Sequence, residues 1–166
     1  MQNKLGVLFV CTANICRSPT AEAMFHSKAT KAGIVERLVI DSAGTHDFHV
    51  GSPPDTKAQL AASKRGYDLS ALRARKVSRR DLELFHYILA MDMNNLTVLH
   101  RLGEPDLWKK PKLMMPHSRL YKDKEVPDPY GGGVAGFALV LDMLESATDG
   151  LLAVVQQDLK RSGDSR

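Results

Sequence analysis

Cysteine is scarce in this sequence: only Cys11 and Cys16 occur among its 166 residues, and tryptophan occurs once. Two cysteines this close would close a tiny loop and restrain little of the unfolded chain, which excludes a disulfide framework. No run reaches the roughly 18 apolar residues that span a bilayer, and the longest candidate, 137–155, is interrupted by three acidic residues. The N-terminal apolar run 5–11 is too short for a signal peptide. We therefore expect a cytoplasmic protein without membrane insertion.

A strong excess of one charge is also absent, because 23 Lys and Arg face 19 Asp and Glu, for a net charge of +4. This surplus can help attract an anionic substrate, and a scattered solvated surface accounts for it equally well. The one denser basic patch, 73–80, contains no interleaved aromatic residue, so no nucleic-acid partner is expected. Cysteine and histidine do not cluster at the spacing of metal ligands, so no metal or other cofactor is expected.

The length and the order of the apolar segments predict one α/β domain covering 1–166. Strands alternate with helices, which is typical of βαβ units and a parallel sheet. Gly150 is expected to weaken the middle of the last helix. Apolar runs predict strands at 5–10, 37–42, 84–91 and, weakly, 112–115, and capping and periodicity predict helices at 18–32, 55–65, 93–102 and 134–161.

The segment 11–18, CTANICRS, lies between the first predicted strand and the first predicted helix. Ligands of open parallel sheets bind beyond the carboxyl ends of the strands, and the N-terminus of a helix directs backbone N–H groups and a positive dipole end at an anion. The backbone from Thr12 to Arg17 is therefore expected to curl around a phosphate. Arg17 can add a bidentate contact to two phosphate oxygens, which lysine cannot match.

Cys11 is the candidate nucleophile of this loop. The electropositive setting favours its thiolate form, which can attack phosphorus in line and form a cysteinyl-phosphate that water then hydrolyses. The simpler alternative is that Cys11 is only the last residue of a buried strand, but its place before a Ser-Pro helix start favours the catalytic interpretation. Cys16 has two interpretations: it packs against the helix start, or it forms a reversible disulfide with Cys11 that protects the nucleophile.

A leaving oxygen needs a proton, and Asp128 is the candidate donor. It lies between two prolines that stiffen the loop, and the glycines that follow from Gly131 allow local movement. The alternative is that Asp128 is an ordinary turn aspartate, as aspartates before proline often are.

Taken together, these motifs closely resemble those of the low-molecular-weight protein tyrosine phosphatase family. The resemblance rests on CTANICRSP at 11–19 and DPY at 128–130, supported by DSAG at 41–44, PPD at 53–55 and AMD at 90–92. It implies a four-stranded parallel sheet with helices on both faces and the hydrolysis of phosphotyrosine in proteins.

The resemblance also implies roles for single residues. Cys11 becomes the nucleophile, Arg17 the group that stabilises the transition state, and Asp128 the general acid and base. Further substrate-binding positions fall in the loop and at its rim, at Thr12, Ala13, Asn14, Ile15, Cys16, Ser18, Phe48 and Tyr130.

Supporting roles follow from the same resemblance. Asn14 and Ser42 match positions that hold the loop in shape, and Ser18 matches the hydroxyl that supports the thiolate. Phe48 and Tyr130 match aromatic walls for a phenyl ring, although Phe48 taken alone is more typical of a core or rim aromatic.

Three positions bear on substrate preference and on departures from the family pattern. The apolar branched Ile15 matches members that act on phosphotyrosine, whereas relatives that act on phosphoarginine tend to carry threonine. Gly131 stands where mammalian members often have a second tyrosine, and Leu72 stands where many relatives have histidine. His49, beside Phe48, either contributes to the pocket rim or is simply exposed, and exposure is the favoured interpretation.

Two other functions are alternatives to a phosphatase. An arsenate reductase on the same fold needs resolving cysteines late in the chain, and none follows Cys16. A non-catalytic phosphate-binding or redox module would need no general acid, so Asp128 argues against it. We expect phosphotyrosine proteins as partners and a monomeric state, with weak self-association left open.

Overall fold

A computed structural model describes residues 4–163 of the chain, so the ends of the predicted domain, 1–3 and 164–166, lie outside the described residues. Four strands and five α-helices alternate along the described chain, with short 3₁₀ turns between some of them. In order they are β1 (Leu5–Cys11), α1 (Arg17–Lys31), β2 (Leu38–Gly44), α2 (Thr56–Ser63), α3 (Arg79–Leu84), β3 (Tyr87–Ala90), α4 (Met93–Leu102), β4 (Pro111–Leu113) and α5 (Val134–Gly163).

The four strands form one parallel sheet in the order β2-β1-β3-β4. β1 pairs with β2 along its whole length, from Leu5 opposite Leu38 to Cys11 opposite Gly44. All four carboxyl ends therefore meet at one edge, where Cys11 ends the central strand. The predicted four-stranded parallel sheet is confirmed.

Both faces of the sheet are covered, because alternate side chains of β1 enter two separate cores. Val7 and Phe9 belong to the larger core, which α1 and α5 close, and Phe9 meets Phe25 edge to face with ring centroids 5.7 Å apart. Leu8 and Val10 belong to the smaller core beneath α3 and α4. Each such fully buried side chain stabilises the fold by roughly 1.5–3 kcal/mol. Because its side chains enter both cores, β1 is the central element that both layers share.

The predicted third strand, 84–91, is too long at its start. Leu84 ends helix α3, and only Tyr87–Ala90 pairs with β1. The helix begins with a capping box in which the side chains of Ser78 and Asp81 satisfy each other's backbone N–H groups, and this S-x-x-D signal outweighs the apolar character of Leu84. The fourth strand is likewise shifted, since it is Pro111–Leu113 and Met115 lies in a 3₁₀ turn.

Gly150 does not interrupt the long final helix, and it permits the packing of that helix. A Cβ atom at this position would lie 1.8 Å from the carbonyl oxygen of His117. Only glycine lets the backbone of α5 approach the 3₁₀ turn Met115–His117 this closely, so the cost of glycine in a helix is offset by the contact it allows. No helix within residues 4–163 combines the length and the apolar character needed to cross a membrane.

Candidate active site

The loop between β1 and α1 is held in shape by Asn14. Its φ angle of 58° lies in the left-handed region, which asparagine tolerates better than most residues. The Asn14 amide Nδ2 donates to Ser18 Oγ at 2.8 Å and to Ser42 Oγ at 2.9 Å. Its Oδ1 accepts from the backbone N–H of Arg75 at 3.0 Å. One near residue, Ser18, and two distant ones, Ser42 and Arg75, therefore hold one buried amide, and the amide fixes the strained turn.

The end of β2 presses against the same loop from behind. A Cβ atom at Gly44 would lie 2.7 Å from the carbonyl oxygen of Thr12, so the two backbones meet at a distance that only glycine permits. Backbone N–H groups of Thr45 and His46 donate to the carbonyl oxygens of Cys11 and Thr12, each at 2.9 Å. With its carbonyls bound at the rear, the loop is oriented to turn its N–H groups outward.

The Cys11 thiol lies at the base of the loop and is buried. Its Sγ is 3.0 Å from Ser18 Oγ, the hydroxyl that accepts from Asn14. The one proton of this hydroxyl has two acceptors within reach, the sulfur at 3.0 Å and the carbonyl oxygen of Ala43 at 3.4 Å, and the sulfur is the nearer of the two. A hydroxyl proton directed at sulfur stabilises a thiolate.

The guanidinium of Arg17 is fully enclosed, with 2% of the residue exposed. Its Nη1 donates to Asp92 Oδ2 at 2.7 Å and to the carbonyl oxygen of Val126 at 2.9 Å. Its Nη2 lies 3.4 Å from Thr12 Oγ1 and 3.7 Å from Asp128 Oδ2. Nη1 is thus occupied by the protein, whereas Nη2 is directed towards the cavity.

Asp92 is a site residue to which sequence reasoning assigned no role. It lies two residues after the end of β3, at the same edge of the sheet as Cys11, and its Oδ1 also caps α4 by accepting from the backbone N–H of Asn95 at 2.8 Å. The buried charge of Arg17 requires such a partner. An acidic residue at the carboxyl end of a neighbouring parallel strand was the signal that could have identified it.

A cavity of about 270 Å³ opens above the loop, and Cys11, Arg17 and Asp128 all line it. Of the other predicted site residues, Asn14, Ser18 and Ser42 lie buried behind the loop instead of in the cavity wall. The wall consists of Cys11, Thr12, Ala13, Ile15, Cys16, Arg17, Phe48, His49, Asp128 and Tyr130.

Exposed aromatic side chains form the cavity rim. Phe48 is 68% exposed and Tyr130 60% exposed. The Phe48 ring stacks on His46 with centroids 4.9 Å apart, and Tyr130 lies 6.3 Å from the ring of His49. His49, which was expected to be exposed, is half-buried and belongs to the wall. Phe48, His49 and Tyr130 thus bring aromatic side chains to the cavity wall.

Cys16 is a buried free thiol, as is Cys11. Burial, followed by the negative charge of Asp55, raises the pKa of Cys16 well above its ordinary value. The side chain packs with Ile15, Ala58 and Phe137 in a small apolar cluster. Cys16 therefore stays a neutral thiol near pH 7 and packs behind the helix start, and its disulfide with Cys11 stays a prediction.

Two further side chains complete the electrostatic setting. Asp128 is half-exposed, and its Oδ1 accepts from the backbone N–H of Tyr130 at 3.1 Å, which orients the carboxylate. Asn95 Nδ2 donates to Thr12 Oγ1 at 3.1 Å. Within the described part of the chain, no three His, Cys, Asp or Glu side chains are grouped as metal ligands would be.

A parallel sheet whose central strand ends in a buried thiol, beneath a loop that opens a helix and carries an arginine, defines a phosphoric monoester hydrolase of the cysteine-dependent class. The family model for "Low molecular weight phosphotyrosine protein phosphatase" matches residues 6–161. The chain belongs to this family, as its motifs indicated.

Curated relatives and solved structures agree with this membership. The chain is 36% identical over 154 residues to the low molecular weight protein-tyrosine-phosphatase YfkJ of Bacillus subtilis, covering 93% of this chain and 97% of the relative. It is 38% identical over 136 residues to the human low molecular weight phosphotyrosine protein phosphatase, covering 81% and 85%. A crystal structure of a protein tyrosine phosphatase from Entamoeba histolytica superimposes with a TM-score of 0.90 at 35% identity, covering 93% and 99%.

Proposed function

We propose that this chain hydrolyses phosphotyrosine in proteins and that Cys11 is its nucleophile. One observation carries the proposal: Cys11, Arg17 and Asp128, which are up to 117 positions apart in the chain, line the same cavity. A thiol, a guanidinium and a carboxyl group around one anion-binding loop are the groups that phosphate ester hydrolysis through a covalent intermediate requires.

In the first step the phosphate group lies in the loop, with its oxygens on the backbone N–H groups and on Arg17. The Cys11 sulfur attacks phosphorus opposite the ester oxygen, so a sulfur–phosphorus bond forms as the phosphorus–oxygen bond breaks. Arg17 gains its strongest contact as charge spreads over the equatorial oxygens. Its position is fixed by Asp92, and this lowers the cost of ordering it.

Asp128 supplies the proton that the tyrosine oxygen takes as it leaves. In the second step the same carboxylate accepts a proton from water as the water oxygen attacks phosphorus. The sulfur–phosphorus bond then breaks, which releases inorganic phosphate and restores the thiolate. The half-exposed position of Asp128 at the cavity mouth suits both steps, because the group must reach the leaving oxygen and water in turn.

The aromatic rim supports phosphotyrosine as the substrate. Phe48 and Tyr130 offer faces for a phenyl ring, and ring pairs of this kind contribute roughly 0.5–1.5 kcal/mol beyond their buried area. Ile15 adds an apolar contact within the wall. Relatives that cover most of this chain are named for phosphotyrosine protein phosphatase activity. The monomeric state and the cytoplasmic location stay predictions.

The test is turnover of p-nitrophenyl phosphate by the wild type and by Cys11→Ser. We expect Cys11→Ser to lose all measurable turnover and to keep binding inorganic phosphate, because the loop amides and Arg17 remain. The matched control is Cys16→Ser, the same change five positions along, which is expected to keep most of the turnover. Substantial turnover by Cys11→Ser would exclude Cys11 as nucleophile.

The same assay separates the enzyme from a non-catalytic phosphate-binding module. A module would bind phosphate and show no turnover even as the wild type. A protein tyrosine phosphatase would hydrolyse p-nitrophenyl phosphate and a phosphotyrosine peptide, and free phosphate would compete with both.

A further inference from the structure

A second cavity, of about 410 Å³, lies between α2 and the first turns of α5, outside the candidate active site. We call it the α2–α5 groove, and its walls include Leu60 from α2 and Val134 and Phe137 from α5. Phe137 is buried, whereas Leu60 is 57% exposed and Val134 is 78% exposed. Two large apolar side chains thus stand in solvent above an apolar floor.

The groove and the active-site cavity are neighbours across one short loop. Phe137, which forms part of the groove floor, packs with Ile15 and Cys16 of the phosphate loop in one apolar cluster. Gly133 lines the groove and Tyr130 lines the active-site cavity. The three peptide units between these two residues span at most about 11 Å, a distance that three or four residues of an extended peptide cover.

The groove carries a formal excess of one positive charge, because Lys57, Lys64 and Arg65 stand against the two carboxylates that pair with Arg65. Lys57 and Lys64 stand at its edge, and no carboxylate among residues 4–163 forms an ion pair with either. Lys57 Nζ instead donates to the carbonyl oxygen of Gly132 at 3.1 Å. Arg65, by contrast, is neutralised by Asp142 at 2.7 Å and by a second acidic residue. The first turn of α5 carries no acidic residue either.

We propose that the α2–α5 groove binds a segment of the phosphotyrosine protein substrate in which a large apolar residue stands next to an acidic one, three or four residues from the phosphorylated tyrosine. The apolar side chain covers Leu60 and Phe137, and the carboxylate pairs with Lys64. The proposal rests on the proposed function, since it assigns a second contact to the same substrate.

The test compares phosphotyrosine peptides that differ only in one residue pair. The pair is Leu-Glu or Ala-Gln, placed three or four residues before or after the phosphotyrosine, and kcat/KM is measured for each peptide. At one placement the wild type should prefer Leu-Glu by about tenfold, the scale expected for burying most of one leucine side chain. p-Nitrophenyl phosphate, which cannot reach the groove, serves as the reference substrate.

Three variants test whether the groove causes the preference for Leu-Glu peptides. Leu60→Gln, at an exposed position of α2, and Lys64→Gln, at the exposed residue that follows α2, should reduce the tenfold preference to less than about threefold while p-nitrophenyl phosphate turnover stays unchanged. Leu120→Gln is the matched control, because Leu120 is an exposed leucine that does not line the groove, and it should keep the full preference.

Several outcomes would overturn the proposal. One is that the wild type shows no preference for Leu-Glu at any placement, and another is that the preference survives in both groove variants. A third is that the variants lose turnover of p-nitrophenyl phosphate equally, which would mean that they act through the active site. Light scattering that revealed a dimer broken by Leu60→Gln would assign the groove to a second copy of the chain instead.

Failure of the proposed function is distinguishable from failure of the groove. If the wild type hydrolysed no phosphate ester, the function would be refuted, and fluorescence anisotropy of the same peptides on Cys11→Ser would still decide the groove. A tenfold tighter Kd for one Leu-Glu peptide, lost in Leu60→Gln, would support the groove, and equal Kd values for all peptides would refute it.

Discussion

Glu22 gives the sharpest test of the electrostatics behind the phosphate loop. It lies in α1, one turn after Ser18, and only 8% of it is exposed. Burial, then the charge and hydrogen bond of Asp41, raise the pKa of Glu22 from 4.5 to about 7. A hydrogen bond from Ser42 and the charge of Arg75 oppose this shift without cancelling it. Near pH 6 the carboxyl group therefore keeps its proton in the folded protein.

The sign of the effect on stability follows from where the proton binds more tightly. In the unfolded chain Glu22 loses its proton near pH 4.5, whereas in the folded chain it does so near pH 7. Ionised Glu22 thus favours the unfolded state, so its contribution to the free energy of unfolding falls as the pH rises from 4.5 to 7 and is constant above that range. At about 1.4 kcal/mol for each pH unit between the two values, the full loss is about 3 kcal/mol.

The variant Glu22→Gln removes the titration and keeps the size of the side chain and a donor for Asp41. We expect it to match the wild type near pH 4.5 and to be more stable at pH 8 by about 1–3 kcal/mol, measured as the free energy of unfolding in urea. Glu36→Gln is the matched control, because Glu36 is exposed in the 3₁₀ turn Val35–Arg37 and its stability should follow the wild type.

A stability difference between Glu22→Gln and the wild type that did not change between pH 4.5 and 8 would refute this reasoning. It would mean that other groups in the folded protein stabilise ionised Glu22 enough to cancel the effects of its burial and of Asp41.

Two further predictions concern the residues around Arg17. Replacing Asp128 with asparagine should lower kcat for phenyl phosphate by about 10²–10⁴-fold, the scale of general acid catalysis, and an unchanged rate in steady-state assays would remove Asp128 from the mechanism. Replacing Asp92 with asparagine removes the nearer and more buried of the two carboxylates beside the Arg17 guanidinium and should lower the free energy of unfolding in urea by about 3 kcal/mol. Asp106→Asn, at an exposed aspartate, should change it by less than about 0.5 kcal/mol, and equal effects of the two changes would contradict the role given to Asp92.

The phosphate loop could be predicted because its signal is local. A buried strand, a polar turn and a Ser-Pro helix start follow one another within residues 5–19, and the structure has β1 and α1 on either side of the loop. The helix at 93–102 was predicted with its observed bounds for the same reason, since Asp92 caps it and Gly103 ends it. The predicted start of the strand at 84–91 was wrong, because the apolar run alone does not reveal that the capping signal at Ser78 begins a helix that includes Leu84.

The supports of the loop could not be predicted in the same way, because they depend on contacts between distant segments. Arg75 lies 61 positions from Asn14, and Asp92 lies 75 positions from Arg17. No pattern in the neighbouring sequence indicates that Gly150 meets the backbone of His117 or that α2 and α5 leave a groove between them.

The sequence by itself determined the order of the four strands and of every described α-helix except α3, and it determined the chemistry of residues 11–18, because hydrogen-bonding and periodicity act over a few neighbouring positions. Only the tertiary structure decided which side chains face one another across the carboxyl edge of the sheet. That choice depends on how the two faces of β1 are packed, since burying both cores brings the ends of β1, β2 and β3 together. That packing forms the cavity, places Arg17 in its wall and brings Glu22 close to Asp41.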